Sequence, residues 1–402
     1  MTDAGRGHAV AIVRSLGRRG YRVVAADSAA DAPGLASRYA AARAVYPRPD
    51  RDPAATVAAI EQIARQHGVD LIIPVTDAII MPLSEARTRF DGWCQLALPS
   101  ADALAVARDK ARTVELARQV GVPVPATVVV ESVAQALAAA KDMTWPVVLK
   151  PRWSWEYRQR EGLASYDVAF ANTPDALRDR MQTLEGRCAV LLQEYCPGQG
   201  VGVELLLDDG RPLAAFAHRR LHELPMSGGA STLRESVALD PDLYRLAVRM
   251  MGALRWTGWA MVEFKVGSNG PRLMEINGRA WGSLPLATRS GMDFPARLAS
   301  LYLEGPPSES EPVACRYAVG VRCRNLELDL AWIVAAVRGR GGGRSPFLPA
   351  PSRLDGMAAA LGLLDPRAGC DVQSLDDPLP GLLDLRRIAR RVLPGRYLGG
   401  AA

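Results

Sequence analysis

The chain has 402 residues, 49% hydrophobic and 23% charged, with a formal net charge of +6. That balance excludes disordered and fibrous chains, and the length allows two or three domains with sizeable cores. No apolar run reaches the roughly 18 residues of a spanning helix, and the basic residues are scattered in pairs such as Arg18-Arg19 and Arg386-Arg387, so neither a membrane nor a nucleic-acid partner is expected. The start lacks the charged-then-apolar layout of a secretion signal. The six cysteines (Cys94, Cys188, Cys196, Cys315, Cys323, Cys370) show no CxxC spacing and read as free thiols, which fits a cytoplasmic protein.

From the N-terminus, residues 8–19 read as a helix stopped by Gly20 and residues 21–27 as a strand. Residues 53–66 read as a helix closed by Gly68, residues 71–75 as a buried strand, Thr76-Asp77 as a helix start and residues 96–99 as another strand. This alternation predicts a parallel α/β layer. Gly5-x-Gly7 lacks the third glycine of a dinucleotide fingerprint, and no apolar strand precedes it. The first strand of the layer is therefore missing: either the start lies late or the sheet begins elsewhere.

Ser100 caps a helix, and Asp109-Lys110 opens a second one that ends at Gly121. A strand (127–130), a helix (132–141) and a strand (145–150) follow, then a polar and aromatic segment (152–164) that reads as a mobile loop. Residues 165–170, 174–184 and 188–194 complete an α+β lobe. Beyond Gly200, two strands flank a turn at 208–211, and a Gly-rich loop is expected at 227–232. After the hairpin described next, residues 282–290 and 294–303 read as helices. The tail holds a strand (316–324), a helix (329–338), a Gly/Pro-rich linker (339–351) and a basic final helix.

Residues 260–277 read as a β-hairpin. Val262, Phe264 and Val266 share one face, and Met261, Glu263 and Lys265 the other. Pairing Phe264 with Met274, core to core, sets Glu263 across from Glu275, with Asn277 on the same face. Opposed carboxylates repel unless a cation joins them, and two carboxylates with one amide suit Mg²⁺. Arg279 lies just beyond, where it could brace a transferring phosphoryl group. A solvated acidic surface would give the same pattern, so the hairpin alone leaves both readings open.

The order Lys110, Lys150, Gln193–Cys196, Glu263, Glu275, Asn277, Arg279 resembles the ATP-grasp superfamily, which includes D-alanine–D-alanine ligase, biotin carboxylase and the carbamoyl-phosphate synthetase large chain. The matching stretches are Asp109-Lys110 with GVPVP, VVLKP (147–151), QEYCPG (193–198) and EFK…MEINGR, within a resemblance over about residues 1–303. It implies an ATP-grasp fold of mixed α/β and α+β class. The expected parts are a pre-ATP-grasp α/β domain (1–103), two lobes (104–192 and 193–304) and a C-terminal extension (305–402).

The resemblance also implies ATP and Mg²⁺, with Mn²⁺ as an alternative ion held by Glu263, Glu275 and Asn277. Lys110 and Lys150 would contact phosphate and purine, the backbone at Glu194, Tyr195 and Cys196, next to Gln193, would read adenine, and Arg279 would stabilise the transferring phosphate, with Lys150 and Arg234 as further catalytic candidates. Three departures stand out. Gly200 replaces the acidic residue that holds the ribose in many relatives, leaving Glu204 or His218. The phosphate loop is RWSWEYRQREG, where Trp153, Trp155 and Tyr157 could close over the nucleotide. The tail resembles no segment of these relatives. Arg219 and Arg220 are candidates for anionic substrate, and Ser231, Thr232 and Arg234 are expected to face the site. The implied activity joins a carboxylic acid to an amine through an acyl phosphate. The partners are small molecules, and a homodimer is admitted. A kinase, a ligase using another nucleophile, and a degenerate ATP-binding module remain as alternatives.

Overall fold

The computed structural model describes residues 1–153, 155–158, 162–226, 228–339 and 351–392. Most of the expected Gly/Pro-rich linker, parts of the expected loop at 152–164 and Ser227 lie outside them.

The N-terminal stretch contains α1 (Gly7–Arg18), β1 (Val24–Asp27), β2 (Ala42–Val45), α2 (Pro53–His67), β3 (Leu71–Ile72), α3 (Asp77–Glu85) and β4 (Gln95–Leu96). β1 pairs with β2 and β3 with β4, both parallel. Residues 1–4 form no strand but hydrogen-bond beside β1 and β3. The amides of Thr2 and Ala4 donate to the carbonyls of Ile73 (3.2 Å) and Ala26 (3.1 Å), and the Ala26 amide donates to Met1 (2.9 Å). α2 shows the local rules at work: Asp52 caps the Ala55 amide, Pro53 opens the helix, and Gly68 closes it at φ 58°.

Next come α4 (Ala101–Arg108), α5 (Lys110–Gln119), β5 (Thr127–Val130), α6 (Val133–Ala139), β6 (Val147–Pro151), β7 (Trp155–Arg158), β8 (Gly162–Ser165), β9 (Ala169–Ala171), α7 (Pro174–Gln182) and β10 (Val190–Glu194). The sheet order is β5-β10-β6-β9, antiparallel throughout. Val147, Leu149, Val190 and Leu192 bury one face against Ala136, Leu177 and Met181 of α6 and α7. β7 and β8 pair with each other where a loop was expected. The period-two run WEYR is too short and too polar to announce a strand.

The remainder is β11 (Gln199–Asp208), β12 (Arg211–Leu224), β13 (Ala230–Ser236), α8 (Pro241–Ala253), β14 (Gly258–Gly267), β15 (Gly270–Asn277), α9 (Leu284–Arg289), α10 (Phe294–Leu303), β16 (Arg322–Arg324), α11 (Leu326–Val337), α12 (Arg353–Leu361), β17 (Ala368–Cys370) and α13 (Pro378–Val392). Ser231 and Thr232 therefore belong to a strand rather than a loop. The tail strand is shorter than its expected span.

Contacts gather the chain into two units. One comprises Met1–Leu98, His218–Ala238 and Arg279–Ala402, the other Pro99–Ala217 and Leu239–Gly278. The four linear segments expected from the sequence are thus interleaved. In the second unit the strand order is β15-β14-β11-β12, and in the first it is β12-β13-β16-β17, with β12 running through the boundary. In the first unit α1 packs on α9 and α10. Among the described residues no helix is long and apolar enough to cross a membrane. The six cysteines are free thiols, with Cys94 and Cys323 buried and Cys315 exposed.

Candidate active site

In the second unit the hairpin places Glu263 directly across from Glu275, as its spacing predicts. The next pair is Phe264 with Leu273, not Met274, because a bulge adds one residue to β15. Leu273 takes the core position and Met274 turns away, its Sδ lying 3.9 Å from Lys150 Nζ. Asn277 Nδ2 donates to Oε1 of Glu263 at 2.9 Å and to Oε1 of Glu275 at 3.1 Å. Two carboxylates and an amide thus converge on one point. These are hard oxygen donors, and they fit Mg²⁺ or Mn²⁺ with the amide turned to present Oδ1.

Lys150 stands on β6 beside Leu191 of β10. Burial lowers its pKa below the ordinary lysine value. Glu275 and Glu263 oppose that shift, while Lys110 adds to it, so these four side chains lie within electrostatic reach of one another. Lys110 begins α5, and its amide donates to the Arg152 carbonyl at 3.2 Å. The helix is capped by Asp109, which accepts from the amides of Ala111 and Arg112 and pairs with Arg152 at 2.6 Å. Burial disfavours the charged Asp109, yet Arg152 and the helix amides outweigh it and hold the carboxyl below its usual value.

At the end of β10, Gln193 is buried and donates to Thr127 Oγ1 at 2.9 Å. The Glu194 amide donates to Ala126 at 2.9 Å. Of the backbone groups expected at an adenine edge, this one is already used inside the sheet. Tyr195 stands edge-on to Phe170, and burial pushes the Cys196 thiol up. Gly198 and Gly267 permit close approach of this turn to the hairpin: a Cβ at either would come within 2.5 Å of a backbone oxygen. Glu204 and His218, the two ribose candidates, are both fully buried.

In the first unit, Arg279 Nε donates to Asp77 Oδ2 at 3.0 Å and NH1 to the Ala280 carbonyl at 3.1 Å, with the side chain 30% exposed. Arg219 pairs with Glu235, which also takes Arg322, and Arg220 NH1 donates to the Gly229 carbonyl at 3.0 Å. Ser231 is half-buried. Thr232 and Arg234 do not present open side chains, contrary to expectation. Thr232 is fully buried and donates to Asp329 Oδ1 at 3.0 Å. Arg234 is also buried, with NH2 on Asp371 Oδ1 and on the Gly282 carbonyl. The physical reason is the tail: β16 pairs along β13, and α11 and β17 bring Asp329 and Asp371 to these side chains. His8, at the start of α1, is depressed to about 3 by burial and by the charges of Arg279, Arg6 and Arg234.

Residues 187–325 match the profile of a family described as "ATP-grasp in the biosynthetic pathway with Ter operon". The carbamoyl phosphate synthase large chain of Xylella fastidiosa (strain Temecula1) is 23% identical over 268 residues, 64% of this chain and 24% of its own. The D-alanine–D-alanine ligase of Ectopseudomonas mendocina is 29% identical over 206 residues, 48% of this chain and 63% of its own. Among solved structures, the biotin carboxylase domain of Hydrogenobacter thermophilus 2-oxoglutarate carboxylase, determined with MgADP and bicarbonate, superposes with TM-score 0.61 at 18% identity. That match covers 79% of this chain and 72% of the domain. The chain has the ATP-grasp fold. It spans about a quarter of the synthase and under two thirds of the ligase.

The family match takes in Gln193, the hairpin and Arg279, and stops short of Asp329 and Asp371. Sequence reasoning missed those two carboxylates, along with Asp77, His8 and the bulged Met274. Asp77 was recognised only as a helix start. No spacing rule links it to a residue 202 positions later.

Proposed function

We propose that this protein is a cytoplasmic, ADP-forming ligase that joins a small carboxylic acid to an amine through an acyl phosphate. The observation that carries the reading is the Asn277 amide seated between Glu263 and Glu275, with Lys150 in electrostatic reach of both carboxylates. The two relatives named as a synthase and a ligase support it. An amino acid or short peptide is the acid we favour.

Glu263, Glu275 and Asn277 would hold Mg²⁺, or Mn²⁺, and the ion when bound would draw negative charge from the ATP phosphates. Lys150 and Lys110 would bring positive charge toward the same phosphates; burial lowers the Lys150 pKa, and Glu275 and Glu263 oppose that shift. Tyr195 and Cys196 present backbone to the adenine edge. Arg279, oriented by Asp77, would stabilise the transferring phosphoryl group with its positive charge. A carboxylate oxygen of the acid attacks the γ-phosphorus and ADP leaves. The amine nitrogen then attacks the acyl carbon, and phosphate departs carrying that oxygen. Phosphorylation supplies the leaving group that a carboxylate lacks.

The test is isotopic. With ¹⁸O in the acid's carboxylate, one labelled oxygen should appear in inorganic phosphate only when acid, amine and Mg-ATP are all present. Label retained in a stable phosphorylated product, without need of amine, would make the protein a kinase. ATP binding with no acid-dependent ADP across a broad panel of amino acids and short peptides would favour the regulatory module.

A further inference from the structure

In the first unit, α12 is apolar on two opposite sides. The inner side packs on α11. Gly356 is buried there, and a Cβ on it would come within 2.8 Å of the Val337 amide nitrogen, so the two helices lie close. Ala359, Ala360 and Leu363 rest on Trp332, Ile333 and Ala336. The outer side carries Leu354, Met357 and Leu361, spaced for one helix face. A 3₁₀ turn, Gly362–Leu364, continues the helix, and its three residues per turn set Leu364 in line with Leu361. These four outer side chains are between 57% and 81% exposed.

A helix that is apolar all round is ordinarily covered all round. The sequence from Leu354 to Leu364 holds a single charged residue, Asp355. That carboxylate is turned back to the helix start, where the amide and hydroxyl of Ser352 both donate to it at 2.8 Å. The outer stripe is left to apolar atoms.

The spacing of the stripe says what would cover it. Steps of three, four and three residues read the same from either end. A second copy laid antiparallel, with the two-fold axis at residue 359, sets Leu354 against the partner's Leu364 and Met357 against the partner's Leu361. Charge selects that direction. Arg353 stands just before the stripe and is exposed, and Asp365 stands just after it, held there by the Arg367 amide at 2.9 Å. A parallel pair would bring arginine to arginine and aspartate to aspartate. The antiparallel pair brings the basic end of each helix to the acidic end of the other, with the helix dipoles opposed. Two such stripes would bury on the order of 1,000 Å² in all, the size at which an interface becomes specific.

We propose that α12 is the two-fold face of a homodimer, its outer stripe packed antiparallel on that of a second copy. The contact is formed by the first unit alone and is independent of the ligase reading.

Sedimentation velocity on the full chain tests the face. Wild type should be dimeric at about 10 μM, and Leu361→Arg, which sets a charge in the seam, should raise the dimer dissociation constant by about 100-fold or more. Met357→Glu, read in the same way, serves if the arginine variant does not fold by circular dichroism. A short bismaleimide tests the direction in a Cys315→Ser parent, which lacks the exposed native thiol. Ala358→Cys, one residue from the two-fold, should cross-link above that parent, and Leu354→Cys, about 15 Å along the axis from its copy, should not. Wild type that is monomeric at about 100 μM would overturn the inference and leave the stripe to a different partner. A dimer untouched by both stripe variants would overturn it too. Cross-linking at Leu354→Cys without any at Ala358→Cys would overturn the antiparallel seam.

Discussion

The β14–β15 hairpin and the β12–β13 pair treat charge in opposite ways. The hairpin gathers two carboxylates onto one neutral amide. On β12–β13, Arg219 meets Glu235, Arg220 lies 3.6 Å from Glu223, and Arg234 meets Asp371. Like charges held together cost stability, which a cation from outside can recover. Opposite charges paired with each other are closed in themselves, and the buried pair of Arg234 with Asp371 serves to fix position. On the proposed function, the contrast separates groups that would receive a ligand from groups that hold the strands in place.

The largest break should come at the hairpin. Glu275→Gln is expected to lower turnover by about 10³-fold or more, since an electrostatic clamp on a transferring phosphate is lost. Its thermal midpoint in EDTA should equal or exceed that of wild type, because one of the opposed charges is gone. A variant retaining most of its activity would remove the pair from the chemistry.

Next is the supporting region. Asp371→Ala leaves Arg234 buried without its anion and should cost about 3–5 kcal/mol in urea unfolding. The double change Arg234→Met with Asp371→Leu should recover most of that loss. If the single and double variants lose the same stability, the pair is not what holds β13 to the tail.

Arg279→Lys keeps the charge but loses the planar fork that meets Asp77 and that, on the proposed function, would also meet a phosphoryl group. It should reduce kcat by about 10–100-fold, or roughly 1.4–2.8 kcal/mol, with little change in KM for ATP. An effect confined to KM would limit Arg279 to nucleotide binding.

His8 gives the smallest and most pH-specific effect. Its folded pKa of about 3 lies below the unfolded value of 6.5, so the native state refuses a proton that the unfolded chain accepts. Its contribution is therefore intact above pH 6.5 and is lost as pH falls from there toward 3, by about 2 kcal/mol at pH 5. His8→Gln should lose less stability than wild type between pH 7 and pH 5, measured by urea midpoints. Parallel losses in the two proteins would mean that His8 takes up its proton in the folded state.

The sequence conveyed the hairpin because a two-residue period and a Gly-bounded turn fix a strand pair locally, and Glu263 duly meets Glu275. It could not convey the bulge, since one extra residue alters neither composition nor turn. Short motifs singled out Lys110 and Lys150, and these two lie in electrostatic reach of each other. Thr232 and Arg234 were misread because their partners lie 97 and 137 residues further on. A Gly-Gly run suggested an open loop, and only tertiary pairing with the tail turned that segment into an interior strand.

The interleaving of the two units has a consequence for synthesis. All of the second unit has left the ribosome once Gly278 emerges, whereas the first draws on Met1–Leu98 and on the tail. Contacts so far apart in sequence are slow to form, and apolar surface waits uncovered meanwhile. α1 must wait for α9 and α10, which are made much later, before the side they pack on is covered. A nascent chain would complete its middle before its beginning.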